Sequence, residues 1–151
     1  MRRLPDAEWK PTVPALVQLV AATGGPRLRA AFAEAGLDGL RPAQAVALVP
    51  LATGGLHASE LAARLGVTRQ AVAQGVAELD RYGYVTRVAN PADARSRIIE
   101  LTPRGRQALR VMRSSALEQE RRWEQILGER RLRDLRKTLQ MLLAAHEDPP
   151  A

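Results

Sequence analysis

The chain has 151 residues and a formal net charge of +7, from 23 basic and 16 acidic side chains. That length predicts one domain, since ~100–200 residues is the usual size, and 46% hydrophobic residues suffice for a core without staples. The absence of cysteine excludes disulfides, thiolate metal sites and thiol redox chemistry, and with only His57 and His146 no metal site is expected.

The start, Met1 to Lys10, carries Pro5, Asp6 and Glu8 where a secretion signal needs an apolar stretch. No apolar run approaches the ~18 residues of a membrane span. The expected location is the cytoplasm, with no membrane partner. Pro14 to Ala22 is apolar and helix-compatible, Thr23-Gly24-Gly25-Pro26 interrupts it, and Arg27 to Ala35 resumes before Gly36. This predicts one broken helix or two short ones. A further helix is predicted from Pro42 to about Ala52, kinked at Pro50. His57-Ala58-Ser59-Glu60 opens another, running to Leu65, with Gly66 as a left-handed stop. Thr68 is the N-cap of the next, whose apolar face is Val72, Val76 and Leu79.

After Tyr82-Gly83 the pattern changes. Tyr84 to Val88 is β-branched, Ala89 to Ala94 is turn chemistry, and Arg97 to Leu101 is a second short strand. Together they predict a hairpin with a wide, polar tip. Tyr82 and Tyr84 are read as packing beneath it. Thr102-Pro103 restarts a helix. Leu109, Met112, Ala116, Trp123 and Ile126 recur at helical spacing, Gly128 punctuates, and Leu132, Leu135, Leu139 and Leu142 form a narrow seam suited to helix pairing. Arginines and glutamates share the exposed faces of these last helices as local ion pairs.

Helix, turn, helix and hairpin in this order make a winged helix-turn-helix. The fold class is mainly α with a small β-hairpin wing. A helix starting at Thr68 fits the ~12 Å major groove with its first residues on base edges. Off its apolar face lie Thr68, Arg69, Gln70, Ala73 and Gln74: Arg69 suits guanine, Gln70 or Gln74 adenine. The helix start near Ser59 can receive phosphate oxygens. The wing tip carries Asp93, Arg95 and Arg97, where an arginine suits the narrow minor groove and Asp93 can pair with a guanidinium to fix its pose. Of the basic residues only Lys10 and Lys137 are lysine. GC-rich coding accounts for that bias as well as DNA binding does, and residues 41–100 hold only seven basic against five acidic side chains, so position matters more than bulk charge.

From Leu40 to Arg106 the sequence resembles the MarR family of bacterial winged-helix regulators. The resemblance lies in SELAARLGVTRQAV, LDRYGYVTR and NPADARSRIIELTPRG. It implies a winged helix at residues 41–101, flanked by dimerisation helices at 1–40 and 102–151. It further implies a homodimer whose terminal helices interlock, with Leu16, Leu19, Trp123, Ile126, Leu132, Leu135, Leu139 and Leu142 at the interface. Thr68 to Gln74 become the major-groove face, Arg95 the minor-groove finger oriented by Asp93, and Arg87 and Arg97 phosphate or wing-internal contacts. Double-stranded DNA is the implied partner, repression from a roughly palindromic operator the implied activity, and a small aromatic or phenolic effector the implied signal, with no other cofactor. Two departures stand out. Gly75 replaces a commonly larger residue and leaves room beside the neighbouring helix. Gly24-Gly25-Pro26 breaks a first helix that is usually long.

Other residues read more plainly. His57 is a helix-start residue, Trp9 and Trp123 are interface packing, and Glu118, Glu120 and Glu124 lack a histidine that would make them a metal site. No nucleophile–base pair or phosphate-binding glycine loop appears, so an enzyme is not expected. The remaining alternative is an architectural DNA-binding protein without an effector.

Overall fold

A computed structural model describes residues 10–147; Trp9 and the tail from Asp148 lie outside them. Seven α-helices and one hairpin follow in order among the described residues: α1 (Val13–Ala22), α2 (Gly25–Glu34), α3 (Pro42–Ala45), a 3₁₀ helix (Val46–Thr53), α4 (Ala58–Leu65), α5 (Arg69–Arg81), β1 (Val85–Asn90), β2 (Asp93–Leu101), α6 (Pro103–Leu127) and α7 (Glu129–Glu147). The chain divides within α6 into two compact units, Met1–Arg113 and Ser114–Ala151.

The first unit holds the core. Phe32, Leu37, Leu48, Leu51 and Leu61 are buried with Val72, Val76 and Leu79 of α5 and with Tyr84, Val85, Ile99 and Leu101 of the hairpin. Each such side chain contributes ~1.5–3 kcal/mol of burial. Apart from the Tyr84 hydroxyl, no polar side chain is buried among the described residues. The Thr23–Pro26 interruption separates α1 from α2, because Pro26 fits the first turn of a new helix.

The helix predicted from Pro42 to Ala52 is corrected: α-helical winding ends at Ala45, and residues 46–53 wind as 3₁₀ around Pro50. A proline ring inside an α-helix clashes with the carbonyl four residues back and removes a donor. The tighter winding keeps Leu48 and Leu51 in the core. Gly66 ends α4 at φ +65°, as its left-handed stop requires.

The wing differs from its prediction too. Residues from Asp93 onward belong to β2, so the turn shrinks to Pro91-Ala92. Asn90 causes this: its Oδ1 accepts from Ala92 N at 3.0 Å, closing an Asx turn. The register runs from Val85↔Leu101 to Ala89↔Arg97 and then jumps to Asn90↔Asp93, a bulge that takes up residues 94–96. Leu56 adds a bridge on the other edge, with its N–H to the Ile99 carbonyl at 3.0 Å and the reverse bond at 2.9 Å. That bridge ties the wing to the chain just before α4.

Tyr84 lies fully buried, its hydroxyl donating to the Asp38 carbonyl at 2.6 Å. Burial pushes its pKa up, opposed by the Arg104 guanidinium beside it. Tyr82 does not pack beneath the wing: it is 40% exposed, and its ring sits over Gly39, where a side chain would collide with it.

The second unit is the end of α6, Gly128 at φ +79°, and α7. Ion pairs Arg122–Glu118, Arg133–Glu129 and Arg136–Glu120 line it. All are exposed and worth a few tenths of a kcal/mol each. Ile126 is 77% exposed and Leu142 54%, while Trp123, Leu132 and Leu139 are half-buried. In the first unit α1 has no buried residue, and Leu16 and Leu19 are exposed beside Val13, Val17 and Val20.

Candidate nucleic-acid interface

The start of α5 is built by Thr68, whose hydroxyl accepts from Ala71 N at 3.1 Å. This satisfies one of the amides a helix start leaves orphaned. Burial of Val72, Val76 and Leu79 sets the helix's rotation, which leaves Thr68, Arg69, Gln70, Ala73 and Gln74 exposed, as predicted. The start of α4 is capped differently: Glu60 reaches back to accept from His57 N at 3.0 Å.

Between these two helix starts and the wing lies a cleft of about 410 Å³. Ser59, Arg69, Ala73, Arg87 and Arg97, all predicted from sequence, line it together with His57, Val72 and Ser96. Its floor is apolar and three guanidinium groups stand on its walls. Among the described residues, none of Arg69, Arg87, Arg95 and Arg97 is in a salt bridge with a carboxylate. Uncompensated arginines around a concave surface make a seat for a phosphate backbone. Gln70 and Gln74 are exposed on α5 but do not line the cleft.

Asp93 and Arg95 are exposed at the wing tip, also outside the cleft. The expected carboxylate–guanidinium pairing is corrected. Asp93 Oδ1 accepts the backbone N–H of Arg95 at 3.0 Å, and no salt bridge to either neighbouring arginine forms. Asp93 thus fixes the backbone from which Arg95 projects and leaves the guanidinium unpaired. Behind α5, a Cβ at Gly75 would meet nothing within 4 Å. The glycine opens a hollow of about 210 Å³ lined by Ala43, Ala47, Leu61, Leu65 and Val67 among others, so the expected room is present.

Sequence reasoning missed His57 and Ser96 as cleft-lining residues and Asn90 as the residue behind them. Asn90 Nδ2 donates to Ser96 Oγ at 3.0 Å and lies 3.5 Å from His57 Nε2. The N-G or D-G signal that marks a tight hairpin is absent here, and only the folded turn brings these three side chains together.

Residues 38–96 match the MarR family. No curated protein sequence matches the chain. Among solved structures, a probable transcriptional regulator from Pseudomonas aeruginosa is 29% identical, with TM-score 0.61 over 83% of this chain and 96% of its own. The transcriptional repressor CouR, bound to a 23-mer DNA duplex, is 27% identical, with TM-score 0.71 over 97% and 99%. Apo MarR from E. coli shares the fold at TM-score 0.70 over 89% and 99%, with 20% identity. No described helix is long and apolar enough to cross a membrane.

Proposed function

From the premise that residues 38–96 are a MarR-family winged helix, we propose that the chain is a sequence-specific transcriptional repressor that binds a roughly palindromic operator as a homodimer. The observation that carries this reading is the set of unpaired arginines at three places a duplex touches: Arg69 on α5, Arg87 and Arg97 on the cleft wall, and Arg95 on the wing tip. In this reading α5 enters the major groove, the cleft holds backbone phosphates, and Arg95 reaches the minor groove. CouR, a repressor bound to DNA, is similar in overall structure at TM-score 0.71.

Dimerisation is supported by the apolar side chains that each unit leaves in solvent. Val13, Leu16, Val17, Leu19 and Val20 on α1 in the first unit are exposed, and so are Ile126, Met141, Leu142 and Leu143 in the second. Contiguous apolar faces of this kind mark an interface in a soluble protein. Two-fold pairing then matches a palindromic site, with half-sites about 34 Å apart or a multiple of it. Release by a small aromatic or phenolic effector completes the proposal. Since the chain has no cysteine, its signal is not a thiol oxidant.

Arg95→Ala tests the reading. Operator affinity is expected to fall about tenfold or more, the worth of one good groove contact, while sedimentation still shows the dimer. Unchanged affinity would remove the wing from the interface.

A further inference from the structure

The hollow of about 210 Å³ behind α5 takes no part in the DNA contacts proposed above. Its lining comes from Gln44 on α3, Ala47 on the 3₁₀ helix, Leu61 and Leu65 on α4, and Ala71 and Gly75 on α5, among others. Leu61, Val72, Val76 and Leu79 in this lining are core residues, while Ala43, Val67 and Ala71 are exposed. The hollow therefore opens from the core to the surface.

The space exists because residue 75 has no side chain. Gly75 is half-buried, and a Cβ built on it meets nothing within 4 Å. It is not among the glycines at positive φ, and within a helix glycine is less stable than alanine. Neither backbone conformation nor crowding therefore requires a glycine here. Protein interiors are otherwise packed about as densely as organic crystals, so the unfilled space is the feature to explain.

The lining sets the chemistry of an occupant. Gln44 is its one polar side chain; the rest are alanine, valine, leucine and the glycine. Gln44 is held in place: its Oε1 accepts from Arg41 N at 3.2 Å, and its Nε2 donates to Glu78, which also meets the Arg41 guanidinium at 3.5 Å. No cation lines the hollow, so a carboxylate entering it would lose water without gaining a partner. Apolar cavities of about 150 Å³ accept a ring the size of benzene, and this one is somewhat larger.

We propose that the hollow is a binding site for a small neutral aromatic molecule, a single ring that is bare or bears one hydroxyl. Gln44 Oε1 keeps a second lone pair for that hydroxyl. Val72 and Val76 line both the hollow and the arginine cleft, so the ligand touches side chains that also floor the proposed DNA seat. The inference rests on the effector-controlled reading above for its use, whereas occupancy itself needs neither a dimer nor an operator.

The test is a methyl-detected NMR titration of the whole chain, free of DNA, with phenol and with benzoate near pH 7. The two share a ring, but phenol is neutral there and benzoate is ionised. Phenol is expected to shift the methyl signals of Leu61, Leu65, Val67, Val72, Val76 and Leu79 saturably, with a Kd on the order of 1 mM for so small a ligand. Benzoate should bind about tenfold more weakly or not at all. Gly75→Leu puts a side chain into the hollow and should weaken phenol binding about tenfold or more. Ala47→Leu fills it from another element and should give the same loss, and the methyl spectra of both variants report whether they fold. Equal binding of phenol and benzoate, shifts centred elsewhere, or binding that survives both variants overturns the site and leaves the repressor reading standing. Shifts of these methyls with protein concentration alone would assign the hollow to a second copy and overturn the site as well. Phenol binding as expected, with operator and shuffled duplex bound alike, upholds the site and overturns the repressor reading.

Discussion

Gly105→Ala is expected to destabilise the protein by about 3 kcal/mol or more, at the upper end of what overpacking costs. Gly105 sits in the first turn of α6, buried against the start of the wing. A Cβ there would overlap the Tyr84 carbonyl oxygen and press on Leu101 Cδ2 at 3.1 Å. The neighbouring bonds prevent retreat. Thr102 Oγ1 donates to the Gly83 carbonyl and accepts from Gly105 N at 3.1 Å, and Thr102 N donates to the Tyr84 carbonyl at 3.2 Å. The hardest overlap is therefore with backbone, which cannot yield as the Leu101 side chain can. Gly75→Ala is the contrast: its Cβ enters open space within a helix, and removing a helix-interior glycine should stabilise by up to about 1 kcal/mol. Urea unfolding of the two variants beside the native protein checks both signs. A Gly105→Ala midpoint equal to the native one would show that α6 does not approach the wing this closely.

Leu139→Asp is expected to convert the proposed dimer to monomers and to reduce operator affinity on the order of 10³-fold. Two half-sites held on one dimer raise each other's effective concentration, and that gain, about 10²–10⁴, disappears when the subunits part. Leu139 is half-buried within the α6–α7 unit, so the charge also risks the unit's own packing. Leu142→Asp separates the two effects, because Leu142 is 54% exposed in the single chain and an aspartate there costs the monomer little. Sedimentation and far-UV circular dichroism should show an intact helical monomer. A Leu142→Asp and Leu139→Asp pair that both remain dimeric would move the interface off this seam.

Much of this architecture is legible in the sequence because punctuation and periodicity agree. Thr68 before Val72, Val76 and Leu79, or Gly66 after Leu65, states a cap, a face and a stop that local physics fixes without help from the rest of the chain. The places where prediction failed are those where local rules compete. Pro50 permits either a kinked α-helix or 3₁₀ winding, and burial of Leu48 and Leu51 decides it. Asn90-Pro91-Ala92-Asp93 reads as a loose loop, but two side-chain-to-backbone bonds, from Asn90 and from Asp93, pull it into a bulged hairpin.

The candidate interface shows the same division. Periodicity alone assigns Arg69 to the open face of α5, and the hairpin pattern places Arg95 and Arg97 on the wing. That Arg87 and Arg97 share a cleft with Arg69 depends on the Val88↔Ile98 and Ala89↔Arg97 register, which no local signal encodes. His57 reads as an ordinary helix-start residue, since its partner Asn90 is 33 positions away. Gly105 is visible within the Leu101-Thr102-Pro103-Arg104-Gly105 run, yet the reason for a glycine is the Tyr84 carbonyl just before β1, 21 positions earlier in the chain.

Specific recognition is the central claim, and an architectural protein of the same fold is its rival. Backbone contacts alone bind all duplexes alike, whereas the groove contacts proposed for Arg69 and Arg95 would discriminate. The direct measurement is to select genomic fragments that the native protein retains, then compare its affinity for the selected site and for a shuffled duplex at physiological salt. The selected site should bind at least ~10³-fold tighter and show two-fold symmetry; equal affinity for the two duplexes would contradict the account.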